Sequence, residues 1–561
     1  MKKLISLFLA VMLLLAMISG CASDEPAVEE SAPAEVIEEA APIPEEEPAE
    51  QESAETEPSE PVEEVEESAE TFEYPVAMEL PLTEEPVSLS FWYSGFPNWD
   101  FDTVFGQNPA ILKAEELTGV HADINFVVMD AFAEKFNLMI ASGEYPDFIS
   151  SGAYVGGYAQ AYEDEVIIDI TDIAEEHALN YMALLNQNEL TLKAAYSDDS
   201  RMYGFASINK EAALPADGPI IRQDWLDKLG LESPVTYADY ENVLEAFKTE
   251  LGISEPFAIN CTGVELGLLA GYDTAMGFYA KDGVVTSGYV TDEMKDYIIM
   301  IKDWYERGLI SAEFTTNPES RPDENTILSN DCGMWVNGYQ LEDYEKKASD
   351  PDYKLSGALL PVKNEGDFIH TDYQPSVLDG NQFFCVTTAC EYPELAVKWM
   401  DFWYSEDGYY LCNYGVEGLS YELVDGEPVM TELMTDNPDG LDVRATIMYY
   451  TVQFNIPYYK DTNNLNSAYT EAENAARVLW ASNQDGAWVI PSAAALNTDE
   501  SADYALHITD IETYADENLL KFITGDRPLD EWDEYVSVFD ELGIEECIAA
   551  KQSSYDRFMS R

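Results

Sequence analysis

Between residues 87 and 150 the chain carries five strand and helix signals in alternation, and this alternation limits the possible folds more than any other feature of the sequence. Val87-Ser88-Leu89-Ser90-Phe91-Trp92 alternates apolar with small or polar residues, the period of a strand. Ala110 to Leu117 has helical spacing, and Gly119 supplies its stop. Ala122 to Val128 reads as a second strand, Ala131 to Ser142 as a second helix ended by Gly143, and Pro146-Asp147-Phe148-Ile149 opens a third strand. Successive strands joined through helices pair in parallel, which predicts an α/β domain starting near Glu85. Such sheets bind ligands beyond the carboxyl ends of their strands. Here those loops are Tyr93 to Asn108, rich in aromatics, and Ser150 to Gln160, rich in Gly and Tyr.

A second unit is expected from about Pro215. Pro219-Ile220-Ile221-Arg222 reads as a short strand, and Asp224 to Leu229 as a helix stopped by Gly230. Thr236 and Asp239 form a capping box ahead of a helix carrying Tyr240, Val243, Leu244 and Phe247. Another helix is marked by Met294, Tyr297, Ile298, Ile301 and Trp304, entered through Thr291 and left through Arg307-Gly308. Gly333 to Val336 reads as a strand with Asn337-Gly338 turning after it, Gln382 to Val386 as another strand, and Glu394 to Trp399 as the start of a helix. No fixed-period repeat is present, so a solenoid or propeller is not expected.

The N-terminus reads as a delivery device. Lys2 and Lys3 precede an apolar stretch from Leu4 to Met17, too short for a typical spanning helix, which runs into Ile18-Ser19-Gly20-Cys21. Residues 22–70 hold 20 Asp/Glu, no Lys or Arg and no aromatic residue, so they cannot bury enough apolar surface to offset ordering entropy. Residues 1–20 are therefore expected to be a signal peptide, and 21–84 a disordered acidic linker.

The remaining 71–561 still carry 89 acids against 26 bases. That balance excludes nucleic acid as a partner and disfavours strongly anionic ligands. Six Cys remain beyond Cys21, mostly among apolar neighbours, and read as free buried thiols; a Cys385–Cys390 pair across a turn stays open. Four His without metal-ligand spacing and no Cys-x-x-Cys make zinc improbable. Asp436-Asn437-Pro438-Asp439-Gly440 and Asp461-Thr462-Asn463-Asn464 suggest Ca²⁺, but neither has a Glu at the twelfth position, and plain turns fit better. No cofactor is expected. No Gly-x-Ser-x-Gly, phosphate-binding loop or Gly-x-Gly pair occurs, so nothing marks a catalytic centre.

Several blocks resemble the solute-binding lipoproteins of carbohydrate ABC transporters, in the LplA/LipO-related group. They are Glu134 to Asp147 (EKFNLMIASGEYPD), Ile221 to Leu231 (IRQDWLDKLGL), Asn413 to Gly418 (NYGVEG), and Phe522 to Leu529 (FITGDRPL) followed by Trp532. The segment before Cys21 is similar to a lipobox. The resemblance implies cleavage before Cys21, lipid on its thiol and an outward-facing place on the cell membrane. It implies a type II periplasmic-binding-protein fold, α/β, with two lobes and a cleft: lobe 1 from 85–210 plus 375–420, lobe 2 from 211–374 plus 421–561. It implies a monomer that captures an oligosaccharide and passes it to an ABC permease. A receptor for peptide or another non-sugar solute, and a secreted carbohydrate-active enzyme, remain alternatives.

Sugars present flat C–H faces that stack on aromatic rings, and hydroxyls that pair with carboxylates, amides and Arg. On that chemistry the expected ligand residues are Trp92, Asn98 and Trp99 after the first strand, then Ser151, Tyr154 and Asn260 in later loops. The resembling block adds Arg222, Asp224 and Trp225. Trp335, Asn337, Tyr414, Glu417 and Tyr458 complete the set.

Overall fold

The computed structural model describes residues 74–561 apart from 96–104, 151–152, 155–156, 259–266, 312–313, 315–321, 339, 374–377, 379–382, 442, 453–455 and 467–468, and without the side chains at 94, 95, 130, 337, 338, 463 and 465. The described residues belong to one compact unit that begins at Ala69.

The five-element run is present. β1 (Val87–Gly95) and β2 (Val120–Val128) pair in parallel along their whole lengths, joined by α1 (Pro109–Thr118). Asn108 Oδ1 accepts from the amides of Ala110 and Ile111, Pro109 takes a first-turn position that needs no N–H, and Gly119 closes the helix at φ 75°. α2 (Met129–Ser142) ends at Gly143, φ 72°, and leads to β3 (Phe148–Ser150), parallel to β1. Trp92 therefore lies inside β1 and not in the loop after it, because the backbone stays paired with β2 as far as Gly95 opposite Val128. Leu89 and Phe91 are buried on one face, and Ser90 and Trp92 point to the other.

The chain leaves this sheet through β4 (Ile208–Asn209) and builds a second one from β5 (Gly218–Arg222) and β6 (Glu255–Phe257), with α3 (Tyr237–Ala246) between them in the chain. A separate hairpin, β7 (Phe278–Lys281) with β8 (Val284–Ser287), follows. β9 (Cys332–Gly338) and β10 (Leu355–Gly357) complete the second sheet, in the order β10-β5-β9-β6. β9 does not end in a turn at Asn337-Gly338, since Gly338 pairs with Gly218. The chain then returns as β11 (Phe384–Val386), antiparallel to β3 in a first sheet of order β11-β3-β1-β2. After a hairpin of β12 (Tyr421–Val424) and β13 (Glu427–Met430), it passes through β14 (Tyr459–Lys460), which pairs in parallel with β4. Leu378 also bridges Ile208, so three passages of the chain between the sheets meet at one place.

Each sheet has its own core. The first gathers Leu89, Phe91, Phe148, Phe384 and Trp399, with Trp399 on α5 (Pro393–Phe402) below; the second gathers Ile221, Phe247, Phe257 and Met334 against a long helical layer. In that layer α4 (Asp292–Glu306) buries Met294, Tyr297, Ile298, Ile301 and Trp304, the stripe the sequence spacing predicts, with Thr291 Oγ1 accepting from the Met294 amide at its cap. Burial of such side chains is worth about 1.5–3 kcal/mol each before ordering entropy is set against it.

Two stretches pack on the first core from outside its expected bounds. Residues 74–84, predicted as linker, pack on the first core through Tyr74, Met78, Leu80 and Leu82, and Val76 N donates to Asn180 Oδ1 at 2.8 Å. The acidic, aromatic-free composition that predicts disorder stops at residue 70, so this segment has apolar surface to bury. The first core also holds Val452, Ile456 and Tyr458, which the sequence reading assigns to lobe 2.

At Gly218 an added Cβ would sit 2.3 Å from the Trp480 ring, whose Nε1 donates to Pro219 O at 3.1 Å. Gly218→Ala is expected to destabilise the fold by about 2–3 kcal/mol or more, read as a lower denaturant midpoint with unchanged slope.

Candidate ligand site

Because β1, β2 and β3 are parallel, their carboxyl ends share one edge. β6 and β9 share the corresponding edge of the second sheet, where the amino end of the antiparallel β5 joins them. These two edges are where a ligand crevice of this fold class forms. Asn98, Trp99, Ser151 and Asn260, which follow β1, β3 and β6 along the chain, lie outside the described residues, as does the side chain of Asn337. Tyr154, beyond β3, is described. Its ring rests partly buried on the first core and its hydroxyl donates to Asp164 Oδ2 at 2.7 Å. Desolvation, with that carboxylate beside it, pushes the phenol up to about 12.

Arg222, Asp224 and Trp225 stand at the other end of the second sheet. β5 is antiparallel to β9, so its carboxyl end points away from the edge shared by β6 and β9. The Arg222 guanidinium is fully buried, sandwiched between the Trp225 and Tyr353 rings at 4.0 Å from each centroid. Nε and Nη2 donate to the two oxygens of Asp224 at 2.8 and 2.7 Å, and Nη1 donates to Asn330 Oδ1 at 2.8 Å. Trp225 meets Phe247 edge-on at 5.3 Å. Held in this way, the three residues form a strut at the carboxyl end of β5, where the sequence reading expects a sugar contact. Trp335 is likewise fully buried, facing Tyr344 on the side of β9 opposite Met334. Tyr458 is buried in the first core.

Tyr414 belongs to the crossing point. Its hydroxyl and that of Tyr409 both donate to Asp461 Oδ2, the Tyr414 bond measuring 2.9 Å, and Lys210 Nζ stands 3.6 Å from the same oxygen. The Asp461 amide donates to Asn413 Oδ1 at 2.8 Å. Burial, then the Asp461 carboxylate, raises both phenols well above their ordinary range. Arg477 ties two of the passages together: Nε donates to Pro215 O at 3.1 Å, Nη2 to Leu214 O at 3.2 Å and Nη1 to Asn466 Oδ1 at 2.6 Å. Sequence reasoning missed Lys210, Tyr409 and Arg477, since only tertiary pairing brings them together. Glu417 is exposed beside the β12–β13 hairpin. No group of three metal-ligating side chains forms among the described residues. Cys385 and Cys390 are both free, so the pairing left open does not occur, and burial pushes the Cys390 thiol up to about 12.

Two α/β sheets, each with its own core, joined through paired passages at one point, define a two-lobe receptor of the periplasmic-binding-protein type. The alginate-binding protein AlgQ2, solved without calcium, superposes with a TM-score of 0.65 at 22% identity, covering 85% of this chain and 99% of AlgQ2. The chain belongs to the bacterial extracellular solute-binding protein family, whose model matches residues 111–413. Lipoprotein LipO of Bacillus subtilis is 24% identical over 357 residues, 59% of this chain and 67% of LipO. The fructooligosaccharide ABC transporter substrate-binding protein FusA of Streptococcus pneumoniae is 24% identical over 492 residues, 80% of this chain and 86% of FusA.

Proposed function

We propose that this protein captures a neutral oligosaccharide between its two lobes and presents it to an ABC importer, held on the outer face of the cell membrane by lipid on Cys21. The observation that carries the reading is the meeting of β4, Leu378 and β14, the place about which the lobes can close over a solute in a chain of this family. A ligand that touches both lobes favours the closed form by its differential affinity, without chemistry. The name of FusA supports sugar as the solute class, and that of LipO supports the lipid anchor. The ligand surface is expected on the loops after β1, β3 and β6, including Asn98, Trp99, Ser151 and Asn260, with Tyr154 at its border. The 89 acids of the folded part favour a neutral sugar over a polyanion.

The test is a thermal-shift screen of the full chain against neutral oligosaccharides, uronates and short peptides. A true ligand at about 100 times its Kd adds about 2.7 kcal/mol of stability. Stabilisation by one class of neutral oligosaccharide is the expected result. Stabilisation by peptides alone would replace this reading with that of a peptide receptor.

A further inference from the structure

We propose that the groove on the outer face of the first sheet, between β1–β2 and α2, is a second carbohydrate-binding site, separate from the interlobe cleft. It takes a neutral, hydroxyl-rich sugar unit. The groove has a volume of about 580 Å³, within the usual range of small-molecule sites.

Parallel pairing places Ser90 beside Asp123 and Trp92 beside Asn125, all four on one face. α2 covers that face and lines the groove with Lys135, Met139 and Ser142, and Glu144 and Tyr145 close its lower end. This end leads into the amino end of β3, whereas the loops expected to form the cleft follow its carboxyl end.

The chemistry matches a sugar. Trp92 is partly buried against the first core and braced edge-on by Phe132, with ring centroids 6.4 Å apart, so a fixed indole meets the groove. Such a ring stacks on the C–H face of a pyranose. Ser90 is already engaged, its amide and hydroxyl both donating to Asp147 Oδ2 at 2.7 Å. The side chains of Asp123, Asn125, Lys135 and Glu144 have no hydrogen-bond or ion-pair partner among the described residues, yet all four open on this one depression. Together they offer two carboxylate acceptors, an amide with both roles and an ammonium donor, a set suited to vicinal hydroxyls. The two carboxylates disfavour an anionic ligand. For a receptor of long glycans, a second contact on one lobe raises the effective concentration of the chain at the first.

The experiment follows the tryptophan indole N–H resonances of the full chain, with Trp92 identified through Trp92→Phe. The sugars added are maltohexaose, xylohexaose and cellohexaose, each to about 10 mM. The Trp92 resonance is expected to move with at least one sugar. The exposed pair Asn125→Ala with Glu144→Gln is expected to weaken that response about tenfold while leaving any ligand-induced thermal stabilisation through the cleft unchanged. A Trp92 resonance unmoved by all three sugars overturns the proposal, and so does a response that persists undiminished in the double variant. Neither result bears on capture in the cleft, which the thermal screen reads separately.

Discussion

Arg222→Met is expected to lower the unfolding free energy by about 3–5 kcal/mol while leaving ligand affinity within about twofold of the unaltered chain. The guanidinium is fully buried, makes three donor bonds and fills the space between two rings. Methionine replaces part of the volume but leaves the Asp224 carboxylate and the Asn330 amide without their partner. The loss should appear in denaturant melts as a lower midpoint. Calorimetry with whichever oligosaccharide the thermal screen finds should give an unchanged Kd. A large loss of affinity with little loss of stability would return Arg222 to the ligand surface and contradict the strut.

The second large effect concerns pH. Asp401, on α5, is almost fully buried, and desolvation raises its carboxyl to about 7 despite hydrogen bonds from the Tyr181 amide at 2.8 Å and Asn180 Nδ2 at 3.0 Å. Between the ordinary Asp value and about 7, the folded chain holds a proton that the unfolded chain has released. This group therefore lowers stability as pH rises from about 4 to about 7 and adds no further slope above that, a change of up to about 4 kcal/mol. Many other acids titrate over the same range, so the measured quantity is a difference. Asp401→Asn cannot titrate, and its stability is expected to fall less steeply from pH 4.5 to 7.5 than that of the unaltered chain, in urea melts at about five pH values. Parallel curves for the two proteins would show that Asp401 stays ionised throughout.

What could be read from the sequence was what depends on neighbours along the chain. Gly119 and Gly143 stop α1 and α2 because each takes positive φ, and the Thr236–Asp239 capping box forms as its spacing predicts. The stripe of α4 is buried residue for residue. The direction of β5 was not legible, because nothing in Pro219-Ile220-Ile221-Arg222 says whether its neighbour is parallel. That single pairing puts Arg222 and Trp225 at the far end of the sheet. Trp92 shows the same limit. The sequence marks it as an aromatic near a strand end, and only the register with Asn125 places it in the outer groove. Lys210, Tyr409 and Asp461 are separated by up to 251 positions in the chain and meet only because β4 pairs with β14.

Small-angle X-ray scattering of residues 69–561, with and without the oligosaccharide identified by the thermal screen, tests the central claim most directly. Capture by closure of two lobes predicts a smaller radius of gyration when the sugar is bound, by on the order of 1 Å, with the sugar recovered intact. A protein that the sugar stabilises but whose scattering curve does not change, or sugar recovered as shortened products, would contradict it.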